Sequence, residues 1–80
     1  MGMKKATLNG TYQEVGSGSA TIQKRSKGFG AAFIYFGSAA PTDDTNSFLL
    51  DTEEACYFET QDKIFARTPH GGDVDIVLGS

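Results

Sequence analysis

The chain has 80 residues, with seven Lys and Arg against ten Asp and Glu, a net charge of -3 and a sequence pI of about 4.8. That length supports one domain with a thin core, since so short a chain buries only about 60% of its unfolded surface. The acidic balance argues against a nucleic-acid binder with a coherent positive face. The single Cys56 leaves no partner for an internal disulfide, and one Cys with one His falls short of the roughly four ligands of a structural zinc site.

The N-terminal MGMKKATLNG begins basic but lacks the apolar core of a signal peptide. No apolar run approaches the ~18 residues of a membrane span. Residues 1–10 are expected to form a flexible arm ahead of a single β domain over 11–80. Ten glycines interrupt the remainder, and the segments between them are short and rich in aromatic or β-branched residues, a pattern of strands rather than helices.

The first predicted strand is TYQEV, Thr11 to Val15. In SATIQKR, Ala20, Ile22 and Lys24 share one face while Thr21, Gln23 and Arg25 share the other. Ser26 to Gly30 read as a turn. The next strand, AAFIYFG, places Phe33 and Tyr35 on one face and Ala32, Ile34 and Phe36 on the other, so neither side suits water. Two explanations fit: a second copy or partner packs on the extra apolar face, or the long Ser38–Phe48 segment with Pro41 folds over it. Phe48, Leu49 and Leu50 begin another strand or an anchoring turn, and Thr52 to Ala55 read as a turn of helix, with Thr52 before acids as at a cap, or as a hairpin loop. CYFET then sets Cys56 and Phe58 against Tyr57 and Glu59.

KIFART and VDIVL are the clearest strands. Ile64, Ala66, Val74, Ile76 and Leu78 are expected inward, with Pro69, His70, Gly71 and Gly72 as the hairpin turn that lets the two strands pair. On the opposite face, Arg67 and Asp75 become a candidate cross-strand ion pair.

No catalytic constellation stands out. His70 near Asp73 has a carboxylate neighbour but no nucleophile. Asp43, Asp44, Glu53 and Glu54 lack the spacing of a calcium loop, and so small a core leaves no cleft for a carboxylate pair. Lys24, Arg25, Lys27 and Phe29 put charge beside an aromatic, the ingredients of a nucleic-acid contact, without the strand-helix pattern of an RNA-recognition module. Asp43, Asn46 and Tyr57 are candidate glycan contacts. Aromatic residues are numerous for a thin core, so Phe29, Phe33, Tyr35, Phe36 and Phe65 are candidates for an oligomer or partner interface.

The succession SATIQKR, FIYFGSAAPTDDTNSFLL, CYFET, KIFART and DVDIVL, spanning residues 19 to 78, resembles a family of small β-structured virion proteins of tailed bacteriophages. The resemblance implies a head decoration or cement protein, or a tail-associated one. It implies homo-oligomers, often trimers, that contact capsid or tail proteins, assemble in the bacterial cytoplasm and end on the particle. It brings no enzyme activity and no cofactor. The expected fold is therefore all-β, a small antiparallel β-sandwich or jelly-roll-like barrel of six to eight short strands. The alternatives are a tail or fibre-associated module binding host-surface carbohydrate and a small nucleic-acid-associated β protein. Neither a membrane nor a nucleic acid is the expected partner.

Overall fold

The computed structural model describes residues 3–25, 31–51, 54–68 and 74–79. Eight strands follow one another: β1 (Met3–Leu8), β2 (Gln13–Ser17), β3 (Ala20–Lys24), β4 (Ala32–Gly37), β5 (Phe48–Leu50), β6 (Cys56–Phe58), β7 (Lys63–Arg67) and β8 (Val74–Gly79). They form two four-stranded antiparallel sheets, ordered β1-β8-β3-β6 and β2-β7-β4-β5. Among the described residues no helix is long and apolar enough to cross a membrane.

The pairing is nested. β1 pairs with β8, β2 with β7, β3 with β6 and β4 with β5, as though one long hairpin had been rolled up. Two further ladders, β3 with β8 and β4 with β7, join the rolled halves within each sheet. The inward faces supply the core: Leu8, Val15, Ala20, Ile22, Ala32, Ile34, Leu50, Ile64, Ala66, Ile76 and Leu78. Every one of these lies on an alternating face, the period-2 geometry that lets a strand bury one side only. At the β5/β6 end, Phe58 stacks on Phe36 with ring centroids 5.1 Å apart and on Phe48, edge to face, at 5.1 Å. These three rings close the gap between the two shortest strands, where aliphatic cover is thinnest.

Three expectations change. Met3–Leu8, expected within a flexible arm, is the edge strand β1, with Leu8 fully buried and Ala6 packed against the core. The alternation of Ala6 and Leu8 was present in the sequence, but the two lysines masked it. Secondly, β7 and β8 do not pair with each other: they lie in different sheets. Six residues separate Arg67 from Val74, and at ~3.3 Å each that length is enough to span the ~10 Å between packed sheets as readily as to make a hairpin. Period-2 alternation states which residues face inward and is silent on whether the next strand lies beside or across. The turn residues Pro69, His70, Gly71 and Gly72 lie outside the described residues. Thirdly, the Arg67–Asp75 pair is replaced by partners within each sheet's own surroundings: Arg67 bonds Asp44, and Asp75 accepts from Thr7 Oγ1 at 2.7 Å and lies 3.4 Å from Lys5 Nζ. The Thr7 hydroxyl, with Lys5 beside it, holds the half-buried Asp75 carboxyl below its ordinary range.

Thr68, at the end of β7, is fully buried, its backbone N–H donating to Asn9 O at 2.8 Å. Its hydroxyl has no partner among the described residues. A desolvated, unpaired hydroxyl costs about 1–3 kcal/mol. Thr68→Val, which keeps the shape and removes the polar atom, is therefore expected to raise stability by about 1 kcal/mol. The urea midpoint checks it, and a midpoint that falls would mean the hydroxyl is bonded.

Candidate functional site

The most elaborate polar cluster sits on the outer face of the β2-β7-β4-β5 sheet. Arg67 ends β7 pointing outward, level with Phe33 on β4, and Tyr12 precedes β2 on its other flank. The guanidinium carbon lies 5.4 Å from the Phe33 ring centroid and 5.6 Å from that of Tyr12. A cation between two ring faces is attracted to both quadrupoles, for about 0.5–1 kcal/mol each near a surface.

Asp44 reaches this cation from the long β4–β5 connection. Arg67 Nε donates to Asp44 Oδ1 at 2.9 Å, Arg67 Nη2 donates to Asp44 Oδ2, and Arg67 Nη1 donates to the Gly10 carbonyl at 3.1 Å. Tyr12 Oη donates to Asp44 Oδ1 at 2.5 Å and lies 2.5 Å from Ser47 Oγ. Local bonds shape the connection: Thr45 N donates to Asp43 Oδ1 at 3.0 Å and Ser47 N to Asp44 O at 3.1 Å. These are side-chain and backbone turns of the kind Asp and Ser favour.

The path of this connection answers why β4 is apolar on both faces. Gly37, where it departs, is level with Lys63, whereas Asp44 meets Arg67, which is level with Phe33. Four residues of strand separate those levels, about 13 Å. The connection therefore runs back over the outer face, leaving Phe33 and Tyr35 half-buried. Tyr35 also lies along its own strand, where a Cβ at Gly37 would meet its Cε2 at 2.6 Å. Of the other candidate interface residues, Phe65 is 7% exposed in the middle of the sheet, and Phe36 is partly buried against the core. Phe29 lies outside the described residues.

The two hydrogen bonds from Arg67, then that from Tyr12, hold the Asp44 carboxyl down at about 2. Arg67 is held above its ordinary value by the same carboxylate. Burial, reinforced by Asp44, pushes the Tyr12 hydroxyl up. A carboxylate that cannot take a proton near neutrality and a phenol that cannot release one are poor acid-base groups. The cluster works as a clamp fastening the connection to the sheet.

Beside the clamp lies an open concavity of about 410 Å³, bounded by Gly10, Thr11, Pro41, Thr42 and Asp43. Asp43 is thus at its rim and Asn46 is exposed on the same connection. Tyr57 is elsewhere, on the outer face of the other sheet's edge strand, so the three candidate glycan contacts do not converge. The nucleic-acid set also separates. Lys24 is 3% exposed, inward with Ala20 and Ile22, while Arg25 is exposed. Lys27 and Phe29 lie outside the described residues. Among the described residues no three His, Cys, Asp or Glu side chains gather as a metal site would need.

Sequence reasoning missed this clamp because its members are 12, 44 and 67, and nothing local links them. The one available signal was the outward Arg67 beside a long acidic connection. Compared with protein-family models, curated proteins and solved structures, the chain matches none of them.

Proposed function

We propose that this chain is a jelly-roll structural protein of a tailed-bacteriophage virion, without enzymatic activity, acting as a homo-oligomer that decorates or stabilises the capsid. The observation that carries the reading is the nested pairing 1·8, 2·7, 3·6 and 4·5 in two four-stranded sheets. That order supports reading the sandwich as a jelly roll, an architecture found in viral capsid domains as well as in lectin domains and cupins. Because a fold hosts many functions, the reading also leans on the residue 19 to 78 resemblance to phage virion proteins. The polar groups support it in another way: the chief cluster is spent on fastening the chain to itself.

A trimer is the expected assembly, formed in the bacterial cytoplasm and carried on the particle. Sedimentation equilibrium of the purified chain should give a defined oligomer, and the chain should co-sediment with phage heads. A stable monomer at high micromolar concentration that leaves the heads in the supernatant would sink the proposal. The 410 Å³ concavity favours one second reading, a glycan-binding module using Tyr12 and Asp43 rather than Tyr57. A glycan-array signal lost in Asp43→Ala and kept in Tyr57→Ala would support that reading; an array with no signal would remove it.

A further inference from the structure

We propose that copies of this chain associate head to tail, the β5/β6 edge of one seated on the β1/β2 edge of the next, with Phe48 entering an apolar crevice beside Lys4. The inference rests on the homo-oligomer reading and specifies which surfaces make it.

The two sheet orders put β1 and β2 along one side of the sandwich and β6 and β5 along the opposite side. On the β5/β6 side stand the exposed large apolar residues of the described chain: Phe48 at 46%, Leu49 at 47% and Tyr57 at 64%. Phe48 shares the inward register of Leu50 and stands at the open seam between the sheets, with Leu49 and Tyr57 on the two outer faces that flank it, so the apolar contact this edge offers centres on Phe48. Its two strands have three residues each, too short to template strand pairing, so the contact this edge offers is through side chains.

On the opposite side the sheets part to leave an apolar crevice of about 150 Å³, walled by Val15, Gly16, Ala20, Ile64 and Leu78, with Lys4 at its mouth. Benzene fills an enclosed cavity of about that volume, so this open crevice can take the exposed edge of the Phe48 ring, whose other side stays stacked on Phe58. The crevice owes its depth to Gly16: a Cβ there would come within 3.3 Å of Leu78 Cδ2. Gly16 also follows the register shift in the β2–β7 ladder, where the strand bends away.

Charge matches the shapes. Between Lys27 and Lys63 the chain has no Lys or Arg and seven of its ten acidic residues. Asp51, Glu54 and Glu59 are exposed beside β5 and β6, whereas Lys4 and Lys5 are exposed on β1. On the β1/β2 side Lys5 lies 3.4 Å from Asp75, and Glu14 of β2 lies 3.9 Å from Lys63, so Lys4 beside the slot is the charge there that complements the acidic edge of another copy. Because the two surfaces differ, the contact is heterologous, and a rotation that closes gives a ring.

Phe48 stacks on Phe58, so its replacement could disturb folding; charge exchange on exposed residues avoids that. Sedimentation velocity should show Lys4→Glu and Glu59→Lys each weakening self-association about tenfold. The double exchange should restore most of the affinity. An oligomer indifferent to either single exchange, or a double exchange no better than the singles, overturns the edge assignment and leaves the homo-oligomer reading standing. A wild-type chain that stays monomeric overturns both. An edge that instead serves a capsid protein would give the first of these results together with capsid binding lost in Glu59→Lys.

Discussion

Ile76→Ala is expected to lower the free energy of unfolding by about 2–5 kcal/mol, the cost of removing a branched side chain from a packed interior. Ile76 is fully buried in β8, between Ala6 of β1 and Lys24 of β3 in the ladder. A domain of this length holds about 4–12 kcal/mol, from the usual ~0.05–0.15 kcal/mol per residue. One substitution would therefore consume much of the margin, and the urea midpoint should fall steeply. Val77→Ala, one residue along on the half-buried outer face, is expected to cost about 1 kcal/mol. Equal losses at the two positions would mean that the strand's inward and outward faces are assigned wrongly.

Asp44→Ala should be the most damaging change on the surface, at about 2 kcal/mol. It removes the acceptor of two charge-assisted bonds and one phenol bond together and leaves a partly buried guanidinium without its counter-charge. A double-mutant cycle with Arg67→Met should return a coupling of about 1–2 kcal/mol. The pH dependence has a definite sign. The folded-state value of about 2 lies below the ordinary 3.8, so the clamp's contribution is full above pH 4 and drains away as pH falls through 2. The stability gap between wild type and Asp44→Asn should narrow over that window and stay constant from pH 5 to 7. A gap that persists undiminished at pH 2 would show the carboxylate's charge to be irrelevant.

The sequence made the inward residues legible and the neighbours illegible, for one physical reason. Alternation at period 2 is imposed by each strand's own geometry, so Ala20, Ile22, Ile64, Ala66, Ile76 and Leu78 announce their burial locally. Whether KIFART lies beside VDIVL or across from it depends on where both other sheet members sit, and no local signal carries that. The β4 ambiguity had the same origin. Phe33 and Tyr35 are half-buried on the outer face, Phe33 under the Arg67 guanidinium, and the route of residues 38 to 47 back towards Arg67 is fixed by Tyr12 and Arg67 at distant positions. In Met3–Leu8, Lys4 and Lys5 hid the edge strand because charge is a common guard of a sheet edge and, read in the sequence, resembles a solvated arm.

The nested ladders bear on how the chain can reach this state at all. Among the described strands β1 pairs with β8 alone, and β8 also joins β3 to it, so the β1-β8-β3-β6 sheet cannot be completed until β8 has been synthesised. The other sheet waits less: β4 and β5 are near neighbours in the chain, and β7 then joins them. Assembly is expected to spread outward from that early hairpin and finish at the extremities. Pairing of such distant segments demands loop closures with little early reward, which places folding in the slow, milliseconds-to-seconds class of all-β domains.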